Sequence, residues 1–202
     1  MLGRANRLDV VASAMASTED QLGMTIYAAL LRGINVGKAK RLAMADLRRF
    51  VEAAGFTQPR TLLNSGNVVF EGPRAAPSRV AGRLEQAIEQ GAGFRSNVIV
   101  VTREDVDAVV GENTLADVCD NPSRLLVAFA RDAGTLAALA PVSAQTWGRE
   151  QLAVGTRAAY LWCPAGVLEG TLVDAVGRAL ADRTTTRNWA TVLKIQQMMA
   201  GR

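Results

Sequence analysis

The chain has 202 residues, 49% of them apolar and 21% charged, with a net charge of +4, two cysteines and no histidine. That content suffices for one domain or two small ones with a real core. It excludes histidine-dependent triads, Cys-His pairs and histidine-ligated metal centres, and leaves acid–base chemistry to carboxylate, lysine, tyrosine or cysteine.

Residues 1–23 mix Arg4, Arg7, Asp9, Glu19 and Asp20 with small residues and show no periodicity. Val10 to Ala16 only reaches the minimum length of a secretory apolar region, about seven residues, and Asp9 borders it. The expectation is a disordered extension, or a segment ahead of a natural start at Met24. From Thr25 the pattern is regular. Ile26 to Leu31 is an apolar run of strand length, and Met44, Leu47, Phe50, Val51 and Ala54 recur at helical spacing before Gly55 stops the helix. Arg60 to Asn64 and Asn67 to Glu71 read as short strands around the turn pair Ser65-Gly66. Val80, Leu84, Ala87 and Ile88 mark a second helix, and Asn97 to Thr102 a closing strand. The order β-α-β-β-α-β predicts a ferredoxin-like unit over residues 24–103.

Residues 104–202 repeat the order. A helix over Arg103 to Gly111, capped by Thr102, leads into a strand over Leu125 to Arg131 and a short helix from Ala133 that ends near Pro141. Gln151 to Gly155 and Arg157 to Cys163 form a hairpin, followed by a helix around Leu172, Val176, Ala179 and Leu180. Thr184 to Thr186 and a final helix through Met199 stand where a last strand belongs. The predicted fold is therefore α+β: two tandem ferredoxin-like (βαββαβ-type) subdomains, with a C-terminal helix replacing the last strand. No apolar run approaches the roughly 18–20 residues that cross a bilayer. Cys119 and Cys163 make no CxxC pair or disulfide framework, which points to a reducing cytoplasm.

Charge is unevenly placed. Residues 24–101 carry eleven basic and five acidic side chains, residues 102–182 six and eleven, and the last twenty residues add +4. All three lysines, Lys38, Lys40 and Lys194, lie in two short segments, while twenty arginines are spread elsewhere. A compact ammonium rather than a planar fork at these places marks two candidate anion-binding segments. In the first, Gly33, Asn35 and Gly37 permit left-handed backbone, so consecutive N–H groups can form an anion nest beside Arg32, Lys38 and Lys40. This is not a phosphate-binding Walker A loop, because three residues separate its glycines and Ala39 follows Lys38. In the second, Thr186 or a neighbour caps the terminal helix, and Arg187, Thr191 and Lys194 share one helical stripe. Ser65 and Asn67, in the polar hairpin turn, can hydrogen-bond the same ligand.

The segments from Leu30 to Gly37, from Ser65 to Phe70, and from Thr185 to Trp189 with Thr191-Val192 resemble the signature segments of the bacterial family Domain of Unknown Function 1697. The resemblance runs from Met24 to about Met199 and implies a compact α/β protein of two related subdomains; it implies no activity. Lys38-Ala39 stands where a second glycine is common, Asn64 where glutamine is frequent, and Ala190 where a polar residue is usual.

The expected function is binding of a small anionic metabolite or nucleotide by Arg32, Asn35, Lys38, Ser65, Asn67, Thr186, Arg187, Asn188 and Lys194, with the two distant segments meeting in space. No cofactor and no metal are implied, no reaction is named, and the oligomeric state is open. Three alternatives stand beside it. Nucleic-acid binding lacks the aromatic strand signature of an RNA-recognition domain. Catalysis would fall to Lys38 or Lys194 as base or Schiff-base nucleophile. A structural or partner-binding protein would use the polar motifs as buried hydrogen-bond hubs.

Overall fold

The computed structural model describes residues 23–37, 40–168 and 170–201. The extension expected to be disordered, residues 1–23, lies outside them except for Gly23, and so does Lys38.

Two four-stranded antiparallel sheets carry the chain. The first contains β1 (Met24–Leu31), β2 (Thr57–Leu62), β3 (Asn67–Pro73) and β4 (Val98–Thr102) in the order β2-β3-β1-β4. The second contains β5 (Leu125–Ala130), β6 (Gln151–Val154), β7 (Ala158–Trp162) and β8 (Thr184–Asn188) in the order β6-β7-β5-β8. Among the described residues there are six α-helices: α1 (Met44–Ala53), α2 (Pro77–Ala92), α3 (Arg103–Gly111), α4 (Ala140–Ser143), α5 (Thr171–Leu180) and α6 (Trp189–Ala200).

The continuous apolar runs of β1 and β5 follow from burial on both faces. Tyr27, Ala29 and Leu31 face a cluster with α1 and α2, built around Leu47, Val51, Leu84 and Ile88. Ala28 and Leu30 face the central cluster instead, where they meet Val106 and Val109 of α3 and Val192, Ile195 and Met199 of α6. Leu125, Val127 and Phe129 reach the same central cluster from the second sheet. Leu126, Ala128 and Ala130 turn to a third cluster with Leu172, Val176 and Leu180 of α5. Strand periodicity thus distributes side chains among three cores, and α3 and α6 fill the space between the sheets.

Local chemistry explains the boundaries. Thr102 and Asp105 form a reciprocal capping box at α3, as its sequence suggests. The strand read from Arg60 instead spans Thr57–Leu62: it is an edge strand that tolerates Pro59 through a register shift between Thr57 and Arg60, and it ends where Leu63 turns to φ 56. Pro141 does not end a helix. A 3-10 helix over Ala133–Leu139 passes into α4 with Pro141 in its first turn, where no backbone N–H is needed.

The expected replacement of the last strand by the terminal helix is corrected. Thr184–Asn188 is β8, paired antiparallel with β5 from Thr184 opposite Ala130 to Asn188 opposite Leu126, and α6 is an addition after it. The three threonines are β-branched and favour a strand. Their polarity hides this from a hydrophobic-pattern reading, because Thr184 is buried with its hydroxyl donating to the Phe129 carbonyl at 2.8 Å.

Burial also sets a pH limit. Tyr160 donates its hydroxyl to the Val109 carbonyl at 2.8 Å and is raised above its ordinary 10.0 by burial, then by the charge of Glu112. The Cys163 thiol is pushed from its ordinary 9.0 up to about 12 by burial, then by its hydrogen bond with Glu150 and that carboxylate's charge. The folded protein keeps these protons where the unfolded chain releases them. Their stabilising contribution is full below pH 9.0 and is lost as pH rises toward about 12. Urea midpoints measured from pH 7 upward are expected to fall above about pH 9, and a Cys163→Ala variant should show a shallower decline. Native Cys163 is also expected to resist thiol reagents until denaturant is added, because it is buried and protonated.

Candidate functional site at the junction of the two sheets

The end of β1, the turn after β2 and strand β8 converge around Arg187. Arg187 pairs with Val127 in register and so points into the space between the sheets, where it is 8% exposed. Its Nε donates to Asn67 Oδ1. Nη1 donates to Thr185 Oγ1 at 2.9 Å and to the Thr186 carbonyl at 2.8 Å. Nη2 donates to the carbonyls of Leu31 at 2.8 Å and Ser65 at 3.1 Å, with that of Gly66 at 3.4 Å. A guanidinium has five N–H donors, and all five are engaged. Burial without a carboxylate partner lowers Arg187 from 12.5 to about 10, so it remains a cation at neutral pH.

Asn67 completes the clamp. It is 1% exposed, and its amide donates to the Leu62 carbonyl and to Ser65 Oγ, both at 3.0 Å. Arg32 crosses in the opposite direction and donates to the Thr184 carbonyl. Its own backbone is held by Asn97 and Ser96: Arg32 N donates to the Asn97 carbonyl at 2.9 Å, and Ser96 Oγ donates to the Arg32 carbonyl at 3.0 Å. Asn97 in turn donates to the Asp182 carbonyl at 3.1 Å.

The loop after β1 is shaped by its backbone. Gly33, Asn35, Gly37 and Lys40 have φ of 66, 55, 62 and 50, whereas Ile34 and Val36 lie outside that left-handed region. Alternation of this kind characterises anion nests, although here the Asn35 N–H is spent inside the loop, on the Lys40 carbonyl at 3.1 Å. The Asn35 side chain staples the loop, donating to the carbonyls of Leu42 at 2.9 Å and Asn64 at 2.8 Å and accepting from Leu42 N at 2.9 Å. Beside the staple opens a cavity of about 540 Å³, lined by Asn35, Arg41, Leu42, Ala43, Met44 and Asn64. Helix α1 begins in its wall with Ala43 as N-cap and no side chain capping it. The first backbone N–H groups of α1 therefore have neither an intrahelical partner nor a side-chain cap, and Ala43 and Met44 line the cavity. Asp46, in the same first turn, is held by Arg49.

Of the residues expected to bind ligand, the fold brings together Arg32, Ser65, Asn67 and Arg187, with Asn35 tied to the same hairpin turn through Asn64. Thr186 supplies a carbonyl to Arg187 while its side chain is exposed on the other face of β8. Asn188, not Thr186, caps α6: its Oδ1 accepts from Thr191 N at 2.9 Å and from Thr191 Oγ1 at 2.6 Å. The expected helical stripe of Arg187, Thr191 and Lys194 does not form, because Arg187 belongs to β8. Lys194 is exposed on α6 and takes part in none of the junction's hydrogen bonds. It lacks the desolvated setting a Schiff-base lysine needs. Among the described residues, no group of three or more acidic, cysteine or histidine side chains is placed to hold a metal ion. Sequence reasoning missed Arg41, Ala43 and Met44. The signal was present in the lack of any Ser, Thr, Asp or Asn before Met44, which leaves α1 uncapped.

Residues 24–160 match the family described as "Protein of unknown function (DUF1697)". The chain belongs to that family. The match includes the loop and hairpin segments, whereas β8 and α6 lie beyond it. The fold is similar to "the structure of conserved bacterial protein SP0830 from Streptococcus pneumoniae", at 25% identity and a TM-score of 0.72. That likeness covers 88% of this chain and 99% of the other. No curated protein matches the chain.

Proposed function

We propose that this DUF1697 protein binds a small anionic, phosphate-bearing ligand at the mouth of the loop that follows β1. The observation that carries the reading is the alternating left-handed backbone at Gly33, Asn35 and Gly37, set beside an uncapped helix start and Arg41 around one open cavity. Backbone N–H groups at a nest and at a helix N-terminus both favour negative charge. In this reading Arg41, Lys40 and Lys38 neutralise the ligand, and Asn35 holds the loop in shape. Arg32, Ser65, Asn67 and Arg187 act one layer behind, as the frame that fixes the loop against β8. Asn188 and Thr186 shape the start of α6, and Lys194 adds long-range attraction.

The proposal extends to the architecture. The element order and the strand orders 2-3-1-4 in both sheets support two ferredoxin-like units, 24–103 and 104–202, joined at Arg187. Two free cysteines favour a reducing, cytoplasmic setting. No helix among the described residues is long and apolar enough to cross a membrane.

Calorimetric titration with inorganic phosphate and pyrophosphate tests the reading. Saturable binding is expected, weakened about tenfold by Arg41→Gln, as loss of one charge-assisted hydrogen bond implies. Absence of heat with either compound at millimolar concentration, or an unchanged affinity in Arg41→Gln, would remove it. The full engagement of Arg187's donors favours a second reading, a ligand-free protein whose motifs hold the sheets in register. A null titration with an intact fold would leave that one standing.

A further inference from the structure

The two sheets have four edges, and side chains or a proline close three of them. Edge strand β2 carries Pro59 and a register shift. Along β4 the N–H groups of Val98 and Thr102 donate to Glu85 Oε1 at 2.9 Å and Asp105 Oδ2 at 3.0 Å, and Val98 to Val101 are buried. Along β8 the carbonyls of Thr184 and Thr186 accept from Arg32 and Arg187. The fourth edge is β6, Gln151–Val154, which has no charge and no proline and is exposed at both ends. Unpaired strand edges template pairing with another strand, and proteins ordinarily block them.

The register of the β6–β7 hairpin fixes which groups are open. Gly155 N donates to the Ala158 carbonyl at 2.9 Å, in register with the pairing of Ala153 with Tyr160 and of Gln151 with Trp162. Antiparallel alternation therefore turns the N–H and C=O groups of Gln151 and Ala153 toward β7 and those of Leu152 and Val154 outward. Beyond these two residues the edge is closed off: Glu150 N donates to the Trp147 carbonyl at 3.0 Å, and Thr156 N to Glu112 Oε2 at 2.8 Å. Leu152 and Val154 share one face of the sheet. Val154 is 46% exposed, and Leu152 is half-buried against the cluster on which Trp147 and Val167 also pack.

We propose that two copies of the chain pair β6 with β6 across a two-fold axis, joining their four-stranded sheets into one continuous sheet. Self-complementarity selects a second copy as the occupant. With Leu152 opposite Val154 of the second copy, the outward N–H and C=O groups of both residues are all satisfied. Two apolar Leu152–Val154 contacts then flank the axis, and Ala153 meets its own counterpart on it. A shift of two residues sets Val154 against Glu150, or Leu152 against Thr156, whose N–H groups are already spent. The contact uses the same surface on both copies, so it ends at a dimer.

Sedimentation velocity of the full chain from about 1 to about 200 µM is expected to show monomers passing to dimers and no larger species, since a two-fold contact closes on itself. Val154→Pro removes an outward N–H and leaves the bonds to β7 in place, so it should abolish the dimer over this range. Val154→Lys changes only an exposed side chain and should weaken the dimer about tenfold or more by charging the edge. It keeps the test decisive where circular dichroism shows that the proline disturbs the hairpin. Ala153→Cys should cross-link under mild oxidation above the background of the unsubstituted chain, because Cα atoms paired on the axis lie within disulfide reach. Gln151→Cys, displaced from the axis, should not. Monomers at every concentration would overturn the proposal and leave the edge to an extended segment of another protein. So would dimers that neither Val154 variant weakens, or cross-linking at position 151 as fast as at position 153.

Discussion

Replacing Arg187 with methionine is expected to lower Tm by about 6–12 °C, the shift that about 3 kcal/mol produces in a chain of this size. Methionine fills much of the same volume but leaves the carbonyls of Leu31, Ser65 and Thr186, Asn67 Oδ1 and Thr185 Oγ1 without their donor. Each buried acceptor stripped of its partner costs about 1–3 kcal/mol. Removing a buried cation with no carboxylate partner returns part of that sum, which is why the expected loss is smaller than the acceptors alone suggest. Arg187→Lys should rescue little, because one ammonium has three donors and no planar fork to span acceptors on β1, β8 and the hairpin turn. Asn67→Ala is expected to be non-additive with Arg187→Met, since both remove the same contact. Thermal denaturation of the two single variants and the double variant measures all of this. A drop under about 2 °C for Arg187→Met, less than about 1 kcal/mol gives, would mean that the junction is not held by this residue.

Gly66→Ala is expected to cost about 2–4 kcal/mol, as strain at a left-handed position and overpacking add. Gly66 has φ 75, and a methyl group there would stand 2.8 Å from both the Leu31 Cβ and the Ile34 Cδ1. Both neighbours are buried in the core behind β1, so neither can move aside cheaply. Gly33→Ala is the control: φ is 66, but nothing lies within 4 Å of the added carbon. It should cost only about 1 kcal/mol from backbone strain. Equal urea midpoints for the two variants would show that close packing of the turn against β1 contributes nothing.

Much of the fold was legible because it rests on local rules. The helical spacing of Met44, Leu47 and Val51 and of Val80, Leu84 and Ile88, and the capping pair at Thr102, depend on residues within a turn or two of each other. Strand β8 was not legible. A pattern reading expects apolar residues in a buried strand, whereas Thr184 and Thr185 are buried and reach partners in β5 and in the Arg187 clamp. The candidate site divides the same way. The glycines and Asn35 announce the bend after β1, since few other residues adopt positive φ. That Arg187 would spend every donor on the protein depended on Leu31 and Ser65, more than 120 positions away.

By itself the chain determined the strands and helices other than β8, the unusual backbone after β1, and the lack of any histidine-based chemistry. These follow from side-chain sterics and composition, which act over a few residues. Only the tertiary structure decided that β1 and β5 are covered on both faces, that β8 completes the second sheet, and that the donors of Arg187 meet acceptors on β1, β8 and the hairpin turn. Those outcomes turn on which buried donors meet which acceptors, and that pairing exists only once distant segments have packed and excluded water.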